Sequence, residues 1–197
     1  YASSSEVYGE PFVIPQNEIT TPLNSRLPYA IVKNAGEAYA MAYREQSSLN
    51  SISLRFFNAY GPRQRHDFVI SIFIECALKN KPLDIYGDGS QTRSFCYVDD
   101  MVKGLMSLMT SNFRYPINLG NNSEISILDL AILISKKIGN KVDFKFLEPK
   151  ENEPYKRIPS IELAKNKLGW EPKVSLDEGL EMTIKYFLDK KRKLMLN

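Results

Sequence analysis

At 197 residues, with 43% hydrophobic and 25% charged residues, the chain can bury a substantial core, one domain with a smaller appendage. Its net charge of +3 rests largely on Lys190-Lys191-Arg192-Lys193 at a helix end, so it has no clustered basic face of the kind that binds nucleic acid. No apolar run reaches the roughly eighteen residues of a membrane span, the single histidine, His66, cannot build a metal site, and Cys76 and Cys96 lack disulfide or metal spacing. We expect a cytoplasmic protein with reduced thiols and no metal, nucleic-acid or membrane partner.

In chain order, residues 10–27 are rich in Pro, Asn and Thr and read as a loop. From Pro28, a residue suited to a first helical position, Tyr29, Val32, Ala35, Ala38, Tyr39 and Ala42 recur at helical spacing. "SISLRFF" at 51–57 alternates as a strand does and is closed by the turn "NAYGP". A helix is expected over 67–79, short strands over 82–86 and 93–97, and a helix over 99–110 capped by Asp99. "PINLG" reads as a further strand. "SILDLAILISKKIG" reads as a helix with Ser126 and Asp129 as a capping box and Gly139 as terminator. "VDFKFL" is a strand, a polar loop follows over 148–160, Ser160 and Gly169 bracket a short helix, and Ser175 with Glu178 starts the last one. Strands alternating with helices predict an α/β layer architecture, with a smaller domain woven around the sheet in the second half.

Tyr29 and Lys33 stand four apart on a predicted helix, hence on one face. A free phenol titrates near ~10, too high for a base at neutral pH. An ammonium nearby favours the phenolate, which turns a tyrosine into a usable general acid/base. The hydroxyls of "SSS" (Ser3–Ser5) could bond both the phenolate and a reacting alcohol.

Five ordered stretches, "SSSEVYG", "YAIVK", "SLRFFNAYGPRQ", "IYGDGSQTRSFCYVDD" and "KLGWEP", resemble the extended short-chain dehydrogenase/reductase family of NAD-dependent nucleotide-sugar epimerases, dehydratases and decarboxylases. The resemblance runs over essentially the whole chain. It implies an α/β fold: the C-terminal part of a Rossmann-like parallel sheet with helices, plus a small α/β substrate-binding domain. Residues 1–120 would carry the Ser/Tyr/Lys site, with substrate-domain insertions around 63–97, and residues 121–197 would be mainly substrate-binding. It further implies that Tyr29, as phenolate, takes the proton of a sugar C4 hydroxyl while hydride passes to a nicotinamide. Ser4 would hold the hydroxyl, and Lys33 the nicotinamide ribose. Ser3, Tyr29, Lys33 and Phe56 are the residues expected at NAD.

For the substrate, the resemblance places Asn58 and Arg63 in the loop after a strand, at the diphosphate. Arg93 would face the diphosphate or a sugar carboxylate, Tyr86 the nucleotide, and Arg157 the phosphates. Ser-Glu-Val-Tyr-Gly, with Arg26 three residues before Tyr29, is the pattern of UDP-glucuronate decarboxylases, with Glu6 orienting the sugar. A 4-epimerase is the alternative, then a 4,6-dehydratase, although Ser5 stands where those enzymes carry an aspartate. The turn Gly87-Asp88-Gly89 lacks the third glycine and the helix of a dinucleotide loop. The chain is therefore expected to be the C-terminal portion of a longer, homodimeric enzyme that binds a UDP-sugar; the competing class is a cofactor-free binding module.

Overall fold

The computed structural model describes residues 1–47, 49–149 and 155–195. The elements run β1 (Ala2–Ser4), a 3-10 turn (Ser5–Tyr8), α1 (Pro28–Ser47), β2 (Leu54–Phe56), β3 (Ala59–Tyr60), α2 (Val69–Leu78), β4 (Leu83–Tyr86) and β5 (Thr92–Ser94). They continue with β6 (Cys96–Tyr97), α3 (Val98–Met109), β7 (Ile117–Leu119), β8 (Glu124–Ser126), α4 (Ile127–Ile138), β9 (Phe144–Leu147), β10 (Lys156–Arg157), α5 (Glu162–Leu168) and α6 (Leu176–Met195). Among the described residues no helix is long and apolar enough to cross a membrane.

The sheet that positions the site is parallel, in the order β1-β2-β7, with Ser4, Phe56 and Leu119 level with one another at its C-terminal end. Ligands of open α/β sheets sit beyond such an end. A second small sheet, β10-β5-β8, combines a parallel and an antiparallel pair, while β3 pairs with β6 and β4 with β9 in parallel. One apolar core joins Leu54, Ile117 and Leu119 of the parallel sheet to Met101 and Leu108 of α3, Ala164 of α5 and Trp170. A larger one joins α2, β4, α4 and α6 through Phe73, Ile74, Leu83, Ile85, Leu130, Ile134, Leu180 and Ile184. The two cores do not divide the chain at a single point, because residues 161–170 return to the parallel sheet after residues from 125 to 144 have packed in the other.

Several elements form for the reasons their residues suggest. Ser126 Oγ accepts the Asp129 N–H at 2.9 Å and donates to its carboxylate at 2.6 Å, and Gly139, at φ +80°, ends α4 in a left-handed conformation that costs glycine little. Ser175 and Glu178 cap α6 reciprocally, through Glu178 N–H to Ser175 Oγ at 3.2 Å and Ser175 N–H to Glu178 Oε2 at 3.1 Å. Asp99, in contrast, is not a cap: α3 starts one residue earlier behind Tyr97, and Asp99 lies in its first turn, where a carboxylate suits the dipole. Nor does Ser160 cap α5, whose N-cap is Ile161 with no side-chain bond.

The strand expected over 93–97 is two strands, because the chain leaves the β10-β5-β8 sheet at Phe95 and joins β3. The run 51–57 narrows to Leu54–Phe56. Of the loop expected over 148–160, residues 150–154 lie outside the described residues and Lys156–Arg157 form β10. On α1 the regular apolar stripe faces outward: Tyr29, Val32 and Tyr39 are exposed, whereas Ala30 and Glu37 are buried against the sheet. The helix lies close there, since a Cβ on Gly36 would stand 2.1 Å from the Tyr1 hydroxyl.

Candidate active site

The Tyr29–Lys33 pair is set by contacts between α1 and β1. Lys33 Nζ donates to the Ala2 carbonyl at 2.7 Å and stands 5.6 Å from the centre of the Tyr29 ring and 5.4 Å from that of Tyr1. Tyr29 is 55% exposed, so its phenol is open to a ligand. Ser4 ends β1 and caps the 3-10 turn, its Oγ accepting the Glu6 N–H at 3.2 Å, a bond that does not use the hydroxyl hydrogen. Gly9 closes that turn at φ +60°, and a Cβ there would meet the Asn24 carbonyl oxygen at 2.0 Å. The tight turn keeps Glu6 within two residues of the strand end.

A cleft of about 610 Å³ has Glu6, Asn58, Tyr86, Arg93 and Arg157 in its wall; Ser4, Tyr29 and Lys33 are not among its lining residues, and Glu6, two residues after Ser4, is its nearest link in sequence to the end of β1. Those five come from separate parts of the sequence. Arg157, on β10 and buried, forks onto Glu6: its NH2 donates to Oε2 at 3.1 Å and its NH1 to Oε1. Its Nε is buried with no hydrogen-bond partner among the described residues. Asn58 Nδ2 donates to the Ser94 carbonyl at 3.0 Å, and Arg93 donates to the carbonyls of Thr92 at 2.8 Å and Tyr155 at 3.2 Å. Leu27, two residues before Tyr29, also lines the cleft and links it to the start of α1.

Other expected site residues stand elsewhere. Arg63 is exposed, in a left-handed turn at φ +66°, and is not among the lining residues; Gln64 is, with Nε2 donating to the Ala59 carbonyl at 2.7 Å. Arg26 is exposed on the segment leading into α1. Phe56 is half-buried at the end of β2. Ser3 is buried and donates to the Glu37 carboxylate. Gln91, whose Nε2 donates to the Tyr86 carbonyl at 2.8 Å, was not singled out in the sequence; its polar position beside "GDGS" was the available hint.

Beneath the strand ends runs a buried polar chain that no sequence pattern marked. Glu37 accepts from Arg55 Nε at 2.9 Å and NH2 at 2.7 Å, Arg55 NH1 donates to the Tyr8 hydroxyl at 2.8 Å, and that hydroxyl donates to Asn118 Oδ1 at 2.8 Å. Burial works against the Arg55 charge, but the hydrogen bonds with Glu37 and Tyr8 and the Glu37 charge outweigh it and hold the guanidinium above its ordinary range. Burial pushes the Tyr8 phenol up to about 12, so it stays protonated and can donate. An arginine on a strand and a glutamate on a helix would ordinarily be read as solvated, which is why their pairing was invisible.

Comparison with known proteins shows the family. The family model described as GDP-mannose 4,6 dehydratase matches residues 1–183. The chain is 44% identical over 192 residues to UDP-glucuronic acid decarboxylase 1 of Danio rerio, covering 94% of this chain and 46% of that protein. It is 42% identical over 191 residues to UDP-glucuronic acid decarboxylase 2 of Arabidopsis thaliana, covering 94% and 43%. The chain thus spans about half the length of the curated relatives it matches. Among solved structures, a UDP-glucose 4-epimerase from Thermotoga maritima with UDP-glucose superposes with a TM-score of 0.92 at 33% identity, covering 96% of this chain and 63% of that one. The UDP-glucuronic acid 4-epimerase of Bacillus cereus, in complex with UDP-glucuronic acid and NAD, gives 0.89 at 33% identity, covering 96% and 60%. The chain belongs to the GDP-mannose 4,6-dehydratase family, within the extended short-chain dehydrogenase/reductases that its motifs resemble.

Proposed function

We propose that this chain carries the proton-transfer residues and the sugar cleft of an NAD-dependent enzyme that decarboxylates UDP-glucuronate through a 4-keto sugar. The observation that carries the reading is the cleft itself: Glu6, Asn58, Tyr86, Arg93 and Arg157 converge on it, and Leu27 of its wall stands two residues before the exposed Tyr29, which has Lys33 beside its ring. The identity to UDP-glucuronic acid decarboxylases supports the choice of reaction.

The donor set of Tyr29, Lys33 and Ser4 fits a nicotinamide riboside, whose diol and neighbouring alcohol call for hydroxyl and ammonium partners. The turn at Gly87–Gly89 leads into β5 and opens no helix, so it does not fit a pyrophosphate. Bound NAD would supply the reversible two-electron oxidation at C4. Tyr29 takes the C4 hydroxyl proton and later returns it, with Lys33 beside its ring and Ser4 holding the alcohol oxygen. Once C4 is a ketone, the C5 carboxylate is that of a β-keto acid: it leaves as carbon dioxide, the electron pair of the broken bond passes into an enolate across C5 and C4, and a proton from solvent completes C5. A guanidinium fork suits a carboxylate or a diphosphate alike; Arg93 and Arg157 divide those roles, with Glu6 orienting Arg157 and the sugar. The outward apolar stripe of α1 suits helix packing in a homodimer of the whole protein.

The test is the product formed from UDP-glucuronate by the protein that carries this chain. Release of carbon dioxide with a pentose product is expected, and replacing Tyr29 by Phe should abolish turnover with the fold intact. A C4-inverted product without gas would establish the second reading, 4-epimerisation, which the likeness to the Bacillus cereus enzyme supports. Full turnover by Tyr29→Phe would remove Tyr29 from the chemistry.

A further inference from the structure

The polar chain under the strand ends connects the two halves of the candidate site. At one end Ser3 Oγ donates to Glu37, and Glu37 lies one helical turn beyond Lys33 and two beyond Tyr29 on the buried side of α1. Lys33 and Glu37 therefore fasten successive residues of β1, Ala2 and Ser3, to the helix. At the other end Asn118 Nδ2 donates to the carbonyls of Gln16 at 3.0 Å and Ser160 at 3.3 Å. The same segment is paired further: the Ser160 N–H donates to the Gln16 carbonyl at 2.7 Å, and the Gln16 N–H to that of Ile158 at 2.8 Å. Ile158 follows Arg157 directly. Tyr8 stands in the middle, accepting from Arg55 and donating to Asn118, with the Arg55 guanidinium 4.8 Å from its ring centre.

We propose that the chain Ser3–Glu37–Arg55–Tyr8–Asn118 is a positioning device that fixes the spacing between the Tyr29–Lys33 pair and the Arg157–Glu6 wall of the cleft, with the Tyr8 hydroxyl as its central link. None of the five touches the cleft, since none is among its lining residues. Every link is buried, so each partner has a low-dielectric setting and little alternative in water. A displacement of about an ångström at a reacting pair can cost two orders of magnitude in rate, so a link far from the chemistry can control it. The inference rests on the reading of Tyr29 as the proton-transfer group.

Tyr8→Phe removes one hydroxyl and leaves ring, helix and ion pair in place, and Ser3→Ala cuts the chain at its end. In the protein that carries this chain, Tyr8→Phe should lower kcat on UDP-glucuronate about tenfold with KM within about twofold. Amide exchange should rise together in α1 and in residues 156–160. The double variant should lose no more than the more severe single one, as expected of groups acting as a unit. Unchanged kcat with a lower melting temperature would show a merely structural network and overturn the proposal, as would a rise in KM at constant kcat, exchange confined to residues 5–9, or independent, multiplying losses. A Tyr29→Phe control separates the two claims: if it retains turnover, the reading of Tyr29 fails, and this inference with it.

Discussion

Glu37 offers a direct measurement of how much the buried ion pair holds. Both side chains of the Glu37–Arg55 pair are 4% exposed, and the carboxylate receives two bonds from the guanidinium and one from Ser3. Glu37→Ala deletes all three and leaves Arg55 with the Tyr8 hydroxyl and no counter-charge. Removing one partner of a buried pair costs about 3–5 kcal/mol, because the other charge stays desolvated and uncompensated. With a urea m-value of about 2 kcal/mol/M, the unfolding midpoint should fall by about 1.5–2.5 M. Against a total stability of about 5–15 kcal/mol, the variant would be marginal. Replacing both partners, Glu37→Leu with Arg55→Met, should recover most of the loss, since the desolvation penalty disappears with the charges. Urea denaturation followed by circular dichroism reads both. A midpoint for Glu37→Ala equivalent to a loss below about 1 kcal/mol, the worth of an exposed pair, would refute the claim that this bridge holds α1 to the sheet.

Two other perturbations test the packing. Burial raises the Glu18 carboxyl above its ordinary range, so the folded state holds that proton more tightly than the unfolded chain does. Its contribution is therefore fully present below the ordinary glutamate range and is lost as pH rises through the raised value. Glu18→Gln, which keeps an acceptor for the Asn118 N–H, should stabilise the protein at pH 7, with the gain vanishing under acid conditions in a series of thermal melts; a gain that grows on acidification would contradict it. Gly104→Ala would place a methyl 2.5 Å from Leu119 Cδ1 and 2.9 Å from the Trp170 ring, between α3 and the parallel sheet. Overpacking of about 1–3 kcal/mol should outweigh the helix-propensity gain of about 1 kcal/mol and lower the melting temperature, whereas a rise would show that Trp170 can yield.

What the sequence by itself determined was local. Ser126 with Gly139 and Ser175 with Glu178 specify α4 and the start of α6, because caps and terminators act within one turn of backbone. Alternation and apolar runs located β2, β4, β7 and β9 to within a few residues. The spacing of Tyr29 and Lys33 put them on one helix face, and the structure sets them side by side. Tertiary structure decided which face that is. Periodicity gives the angle between residues but not the surface that will cover them, and α1 turns its apolar stripe outward and Glu37 inward because Arg55 waits on β2. Likewise Asp99 and Ser160 look like caps by type, yet pairing of the preceding residues into strands or bridges moves the helix starts. The join of Glu6 to Arg157, 151 residues apart, follows from bringing β10 alongside β5, a long-range pairing that no local signal encodes.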